Sequence, residues 1–223
     1  MEKQNLFKWK HYQPDMILLT VRWYLRYNLS FRDLVEMMEE RVLSIAHTTI
    51  MRWVHQYGPE LDERVRLHLK PINDSWRVDE TYVKVKGQWM YLYRAVDSEG
   101  NTIDFYLSKT RDHRAAKRFF KKALRSFLVS KPRVITVDKN PAYPIAIEEL
   151  KNEKKMPVGI QIRQVKYLNN IVEQDHRFIK KRVRSMLGLK SFRTAKSIIS
   201  GIEARHMIKK DNLFYGTSLS EIK

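Results

Sequence analysis

The stretch "SWRVDETYVKVKG", residues 75–87, reads as a β-strand because Trp76, Val78, Thr81, Tyr82, Val83 and Val85 are β-branched or aromatic. Yet it carries Asp79 and Glu80 at its centre. A carboxylate inside a hydrophobic run is costly unless it is paired or bound to a metal. Strand alternation sends adjacent side chains to opposite faces, so only one of the two acids can belong to a common site. Asp79 is the candidate, and Glu80 is expected to pair with a nearby Lys.

Working outward, "QWMYLYRAVDS" is a second strand set off by Gly87, and Glu99-Gly100-Asn101 turns the chain into a third, "TIDFYLS". From Arg111 to Leu128 the period becomes helical, with Ala115, Phe119, Leu124 and Phe127 inside. Lys109–Arg125 holds eight Lys or Arg against the single Asp112, either a solvated face or a phosphate-facing one. "RVITVD" is a short apolar strand, "AYPIAIEELKNE" a helix, "GIQIRQVKY" a strand, and 169–187 a long helix; helices finish the chain after Phe192. The resulting order, β-β-β-α-β-α-β-α, is that of the ribonuclease H-like fold, a mixed five-stranded sheet with flanking helices. Fold alone does not give function.

Upstream, Ile17, Leu18, Val21 and Tyr24 recur at helical spacing, and Ser30 is a suitable N-cap for the next helix. A third helix is capped by His47 or Thr48, buries Ile50, Trp53, Val54 and Tyr57, and is expected to stop at Gly58-Pro59. Three such helices suit a plain bundle or a helix-turn-helix. Thr48, Thr49, Arg52, His55 and Gln56 on the outer face favour the DNA-reading version. The expected domains are an all-α helix-turn-helix domain at 1–62, a linker at 63–74, an α/β domain at 75–210 and a tail at 211–223.

The 223 residues carry 43 Lys and Arg against 25 Asp and Glu, a net charge of +18. Residues 175–223 hold 12 basic against 4 acidic residues, so the excess belongs to the fold and points to a polyanionic partner. The absence of cysteine excludes disulfides and thiolate metal sites. No apolar run approaches a membrane span, and "MILLTVRWYL" lacks a cleavage site, so the expectation is a soluble, unsecreted protein without a membrane partner.

Three acids occupy informative places: Asp79 in the first strand, Asp138 at the end of the fourth, and Glu173 in the helix after the fifth. Ligands bind at the carboxyl ends of strands in open sheets, which suits Asp138. Taken singly, Asp138 also reads as a turn or cap residue and Glu173 as a solvated helix residue. Together they suit two hard cations, Mg²⁺ or Mn²⁺. A pair about 3.5–4 Å apart can serve phosphodiester displacement. In the Glu173 helix, Leu168, Val172, Ile179 and Val183 form the apolar stripe, while Glu173, Arg177, Lys180 and Arg184 share a polar face.

"WRVDETYVKVKG", "YLYRAVDSEGNTIDFYL", "ITVDKNPAY" and "YLNNIVEQDHRFIKKR" resemble the blocks of the insertion sequence six family of transposases, relatives of insertion sequence twenty-six, and "HTTIMRWVHQY" resembles their helix-turn-helix. The resemblance runs from about Trp23 to Ile208. It implies a DDE triad of Asp79, Asp138 and Glu173, with 34 residues between the last two, and a DNA-contacting Lys180. Lys139 and Arg184 join Lys180 as expected phosphate contacts, with Thr48, Thr49, Arg52 and Gln56 as contacts of the helix-turn-helix. It further implies nicking at terminal inverted repeats, 3′-OH attack on target DNA, cointegrate formation, a homo-oligomer of at least two copies, and action at the bacterial nucleoid in the cytoplasm. Two other readings share these residues: a catalytically silent DNA-binding descendant, and a nuclease without strand transfer. Val42 stands where relatives commonly have Gly, and would be strained if its backbone needs positive φ. The tail "DNLFYGTSLSEIK" does not align.

Overall fold

The computed structural model describes residue 7 and residues 11–126, 132–165, 170–186 and 189–211. Its elements are α1 (Pro14–Arg26), α2 (Phe31–Glu39), α3 (His47–Arg66), β1 (Ser75–Val85), β2 (Gln88–Asp97), β3 (Thr102–Ser108), α4 (His113–Ala123), β4 (Val134–Val137), α5 (Ala142–Asn152), β5 (Gln161–Gln164), α6 (Asn170–Asp175), α7 (Arg177–Ser185) and α8 (Phe192–Lys210). The chain divides into two compact units, Leu69–Lys180 and a helical unit joining residues up to His68 with those from Lys181 on.

In the Leu69–Lys180 unit the strands are ordered β3-β2-β1-β4-β5. The first three form an antiparallel meander, and β4 and β5 add in parallel, giving the mixed five-stranded ribonuclease H-like sheet. Trp76, Val78, Tyr93, Ala95, Ile103, Ile135 and Val137 point to one face, where Phe119, Phe120, Tyr143, Ile147 and Leu150 of α4 and α5 close the core over them. Asp112 caps α4 by accepting from the Ala115 amide at 2.7 Å. α6 packs against β1 and β2. Lys86 and Gly87 both have positive φ, 48° and 79°, so the β1–β2 hairpin closes on a two-residue turn whose twist matches the strands.

One mismatch in strand length positions the site. β1 has 11 residues and β4 has 4, and they pair only over Ser75–Arg77. Beyond Arg77, β1 continues with β2 alone. The sheet is open at Asp79, next to where β4 delivers Asp138.

The long helix expected over 169–187 is two described helices, α6 and α7, separated at His176. The helical bond from the Lys180 amide to the His176 carbonyl, 3.1 Å, persists, so the break is local. Leu168 and Phe127 lie outside the described residues.

The helical unit buries Ile17, Val21 and Tyr24 of α1, Leu34 and Met38 of α2, and Ile50, Trp53, Val54 and Tyr57 of α3. Ser30 caps α2 in a capping box with Asp33. The cap of α3 is Ala46 rather than His47 or Thr48, and it makes no side-chain bond. α3 also runs through Gly58-Pro59 to Arg66, taking in the start of the expected linker. Here Gly58 serves a close approach of α3 and α8 instead of a stop. A Cβ on Gly58 would stand 2.5 Å from the Ser197 carbonyl oxygen, and one on Gly201 would stand 3.1 Å from the Gly58 Cα. Packing against α8 outweighs the local cost of Pro59. α8 is buried nearly all round and packs on α3 and α1, so residues 192–210 belong with the helices, a correction to the expected 75–210 domain. Without an amphipathic stripe, its sequence does not say which partner it takes. No helix among the described residues is long and apolar enough to cross a membrane.

α2 ends in paired reverse bonds, Leu43 amide to Met38 carbonyl at 3.0 Å and Val42 amide to Glu39 carbonyl at 2.8 Å. That arrangement requires a left-handed residue at Val42, whose φ is 60° and whose side chain is 94% exposed. A left-handed residue costs roughly 1–2 kcal/mol, and a β-branched one has no compensating contact here. Val42→Gly is expected to raise stability by about 1 kcal/mol, read as a higher urea midpoint at unchanged slope. Gly58→Ala works in the opposite direction. The helix propensity gained, about 1 kcal/mol, is smaller than the penalty of pushing a backbone carbonyl aside, so urea unfolding should show a net loss of roughly 1–3 kcal/mol.

Candidate active site

Alternation along β1 divides the two acids as expected. Glu80 shares the face of Trp76 and Val78 and is buried against the start of α4 and α5. Its partners are not a Lys. Arg111 donates from Nε to Glu80 Oε1 at 2.5 Å and forms an ion pair through a second nitrogen. Asn140 Nδ2 donates to the same oxygen at 3.1 Å, and the buried Tyr143 hydroxyl donates to Oε2. Burial and the neighbouring Glu80 hold the Tyr143 phenol well above its ordinary pKa, so it remains a donor.

Asp79 faces the other way, towards α6. Its cross-strand neighbour is Arg94 on β2, the obvious cation to neutralise it. Arg94 is committed elsewhere: its fully buried guanidinium pairs with Asp175 of α6 at 2.8 Å and lies over the Phe178 ring at 5.0 Å. The group nearest Asp79 is His176, with Nδ1 3.7 Å from Oδ2. Burial, with Arg94 and Lys180 nearby, pushes that imidazole down to about 3, so it is neutral. Among the described residues no Lys or Arg is paired with Asp79.

Asp138 follows β4 at its carboxyl end. Its Oδ1 accepts the Asn140 amide at 3.0 Å, and Arg111 lies 3.9 Å from Oδ2. Asn140 thus ties Asp138 to Glu80 and, by accepting the Ala142 amide at 3.0 Å, to the first turn of α5. Asp79, Glu80 and Asp138 each bring a carboxylate oxygen within 4.8 Å of the others, and Asp79 and Glu80 line one cavity. This corrects the expectation that only one of the two strand acids could belong to a common site: the faces differ, but the carboxylates reach round the open edge of β1. Glu173 is outside that close group but lines the same cavity, about 630 Å³, as Asp79. Asn170, Gln174, His176, Arg177 and Lys180 line it too.

The electrostatics of this cluster are unbalanced. Burial first, then Glu80, Asp138 and Glu173, push the Asp79 carboxyl up to about 7. Burial, with Glu80 and Glu173, also raises Asp138 against the opposing pull of the Asn140 amide and Arg111. Asp79 and Asp138 are therefore oxygen donors whose charge the protein leaves partly uncompensated. A hard divalent cation is what such a donor set fits.

The expected DNA contacts divide by place. Lys180 faces the cavity with Arg177, a residue the sequence marked only as part of a polar helix face. Lys139 and Arg184 are exposed, as are Thr48, Arg52 and Gln56 on α3, while Thr49 is half-buried. The basic α4 surface is partly spent on internal pairs. Lys117 and Lys121 pair with Glu149 of α5 and Glu153 just after it, and Lys122 pairs with Asp104. The Arg111, Asn140 and Tyr143 set around Glu80 carried no sequence signal beyond the single buried acid that needed partners.

A DDE domain family, DDE_Tnp_IS240, matches residues 73–212. The transposase for insertion sequence-like element IS431mec of Staphylococcus aureus is 39% identical over 208 residues, covering 93% of this chain and 90% of its own. The transposase for insertion sequence element IS257 in transposon Tn4003, also from Staphylococcus aureus, matches with the same identity and coverage. Among solved structures, the HTLV-2 integrase catalytic core domain in complex with magnesium is 20% identical at a TM-score of 0.45, covering 59% of this chain and 84% of that one. The catalytic core domain of BIV integrase is 13% identical at 0.44, covering 64% and 98%.

The raised Asp79 carboxyl gives a sign to pH dependence in metal-free protein. The folded state holds a proton that the unfolded state releases, so stability falls as pH rises from the ordinary value of 3.8 towards about 7, and levels off above it. Asp79→Asn removes that penalty. Its melting midpoint should exceed the parent's by more at pH 8 than at pH 5, measured by thermal unfolding with chelator present.

Proposed function

The chain belongs to the insertion sequence six family of DDE transposases, and from that premise we propose that it binds the terminal inverted repeats of an insertion sequence, cleaves there, and joins the 3′-OH to target DNA. The observation that carries the reading is Asp79: a largely buried carboxylate beside Asp138, in one cavity with Glu173, with its neighbouring Arg94 paired to another acid. Asp79, Asp138 and Glu173 form the catalytic triad and would hold the metal, Mg²⁺ or Mn²⁺, as two ions. When bound, such ions supply Lewis-acid activation for in-line phosphodiester displacement.

The chain's own residues do the rest. Lys180 and Arg177, which line the same cavity as Asp79, hold the DNA backbone at the acids. Asn140 and Arg111 fix Asp138 by tying it to the buried Glu80. Arg94, through Asp175, holds α6 and with it Glu173. Lys139 and Arg184 contribute further phosphate contacts.

End recognition falls to residues 1–62, read as a helix-turn-helix in which α3 presents Thr48, Thr49, Arg52 and Gln56 to DNA. The protein works as a homo-oligomer of at least two copies, in the cytoplasm at the nucleoid, and its product is the cointegrate of replicative transposition. Exposed cations on a chain of net charge +18 suit a DNA partner.

Strand transfer of a pre-nicked terminal repeat into a plasmid tests this directly. The parent should yield joined product only with Mg²⁺ or Mn²⁺. Asp79→Asn, Asp138→Asn and Glu173→Gln should each reduce joining to background while end binding stays within about 2-fold, because they remove metal ligands and not DNA contacts. Joining by any of the three refutes the triad. End binding by a parent that yields no product would identify a silent DNA-binding descendant, and cut DNA without joining would identify a nuclease.

A further inference from the structure

The face of the sheet that carries Glu80 does not end where α4 and α5 stop covering it. On the β1–β2 hairpin, Tyr82 stands opposite Tyr91 and Lys84 opposite Trp89, all four on that face. Trp89 is 61% exposed and Tyr82 47%, although these side chains favour burial. Their rings are ordered against one another: Tyr82 meets Trp89 edge to face at 6.3 Å and Tyr91 at 5.3 Å. Lys84 lies over the Trp89 ring at 5.7 Å, and exposed Lys86 occupies the hairpin turn.

This patch is continuous with the acids. Arg111 Nη1 is 3.3 Å from the Tyr82 hydroxyl, and the same guanidinium is 3.9 Å from Asp138. Tyr82 itself lines the cavity of Asp79 and Glu173.

We infer that Trp89 and Tyr82, flanked by Lys84 and Lys86, form a stacking platform for unpaired DNA bases next to the strand being processed. The inference rests on the reading that DNA is cleaved and joined at these acids. Such a reaction leaves single-stranded flanks beside the site, and an unpaired base offers the π-face that a duplex hides. Exposed aromatic rings interleaved with cations are the combination that binds single strands without sequence preference: rings take bases and cations take phosphates. The weak contact of Lys84 with Trp89 is displaced as a base takes the ring. A second copy of this chain fits the patch less well. Two such faces would bring Lys84 and Lys86 against their own equivalents, and two exposed rings fall short of the roughly 1,200 Å² a specific interface buries.

The test compares a blunt duplex with the same duplex carrying a tail of about six unpaired thymidines, by fluorescence anisotropy on the full chain. The parent should prefer the tailed form. Trp89→Ala should lower tailed-duplex affinity by about 10-fold and leave blunt-duplex affinity unchanged. Trp89→Phe, which keeps a ring, should retain most of the preference. Trp89→Leu, which keeps apolar area but no π-face, should lose it, and this separates stacking from packing if the alanine variant folds poorly. An unchanged tail preference in Trp89→Leu overturns the inference, as does equal loss on both duplexes. A smaller assembly by sedimentation, with tail binding intact, would instead assign the patch to a second copy. A parent that binds both duplexes alike overturns this inference alone; a parent that binds neither overturns the DNA reading as well.

Discussion

Asp79 and Glu80 are adjacent on β1, and the two-residue period of a strand places them in opposite environments. On the helix-covered side Glu80 meets Arg111, Asn140 and Tyr143, enough donors to satisfy a buried carboxylate. Across the sheet Asp79 meets a neutral imidazole and other acids. The first arrangement ties the loop after β4 to β1 through Asn140. The second leaves a charge that folding alone does not balance. The site depends on both, because Asp138 is held in place by the groups that satisfy Glu80 while it shares the electrostatic burden of Asp79.

The fully buried Arg94 sharpens this asymmetry. It stands directly across from Asp79 on β2, and an Arg–Asp pair there would have neutralised the strand acid and removed the need for a cation. Its partner is Asp175 instead, two residues beyond Glu173 on the same helix. A six-residue helix has little intrinsic stability, so α6 keeps its place through tertiary contacts, chiefly Val172 in the core and this ion pair. One guanidinium thereby anchors the element that carries the third acid and withholds compensation from the first.

The sheet was readable because its strands alternate cleanly and its turns carry Gly87 and Gly100 at positive φ. Asp138 was readable as the last residue of a short apolar strand. The strain at Val42 was readable as a condition, and its φ of 60° meets that condition. What the sequence did not disclose depends on long-range partners. Glu80 and Arg111 are 31 residues apart, and nothing in "KTRDHR" distinguishes Arg111 from the basic residues around it. Gly58-Pro59 has the local chemistry of a helix end, but its meaning is decided by Ser197 and Gly201 on a helix distant in sequence. α8 lacks a polar face, so periodicity could not assign it to either unit.

Charge counts alone also do not say which basic residues are available. The basic run around α4 was open to two readings, a solvated face or a phosphate-facing one, and Lys117, Lys121 and Lys122 are engaged with Glu149, Glu153 and Asp104. These pairs are partly buried, with Asp104 itself buried. Their effect is to cancel charge on that flank of the unit. Lys180 and Arg177 line the acidic cavity, and Lys84 and Lys86 are exposed on the hairpin that leads from it. The cations around the cavity therefore flank acids whose own charge is left partly uncompensated. A polyanion drawn to that region meets uncompensated acids only at the point where a divalent cation would stand between them.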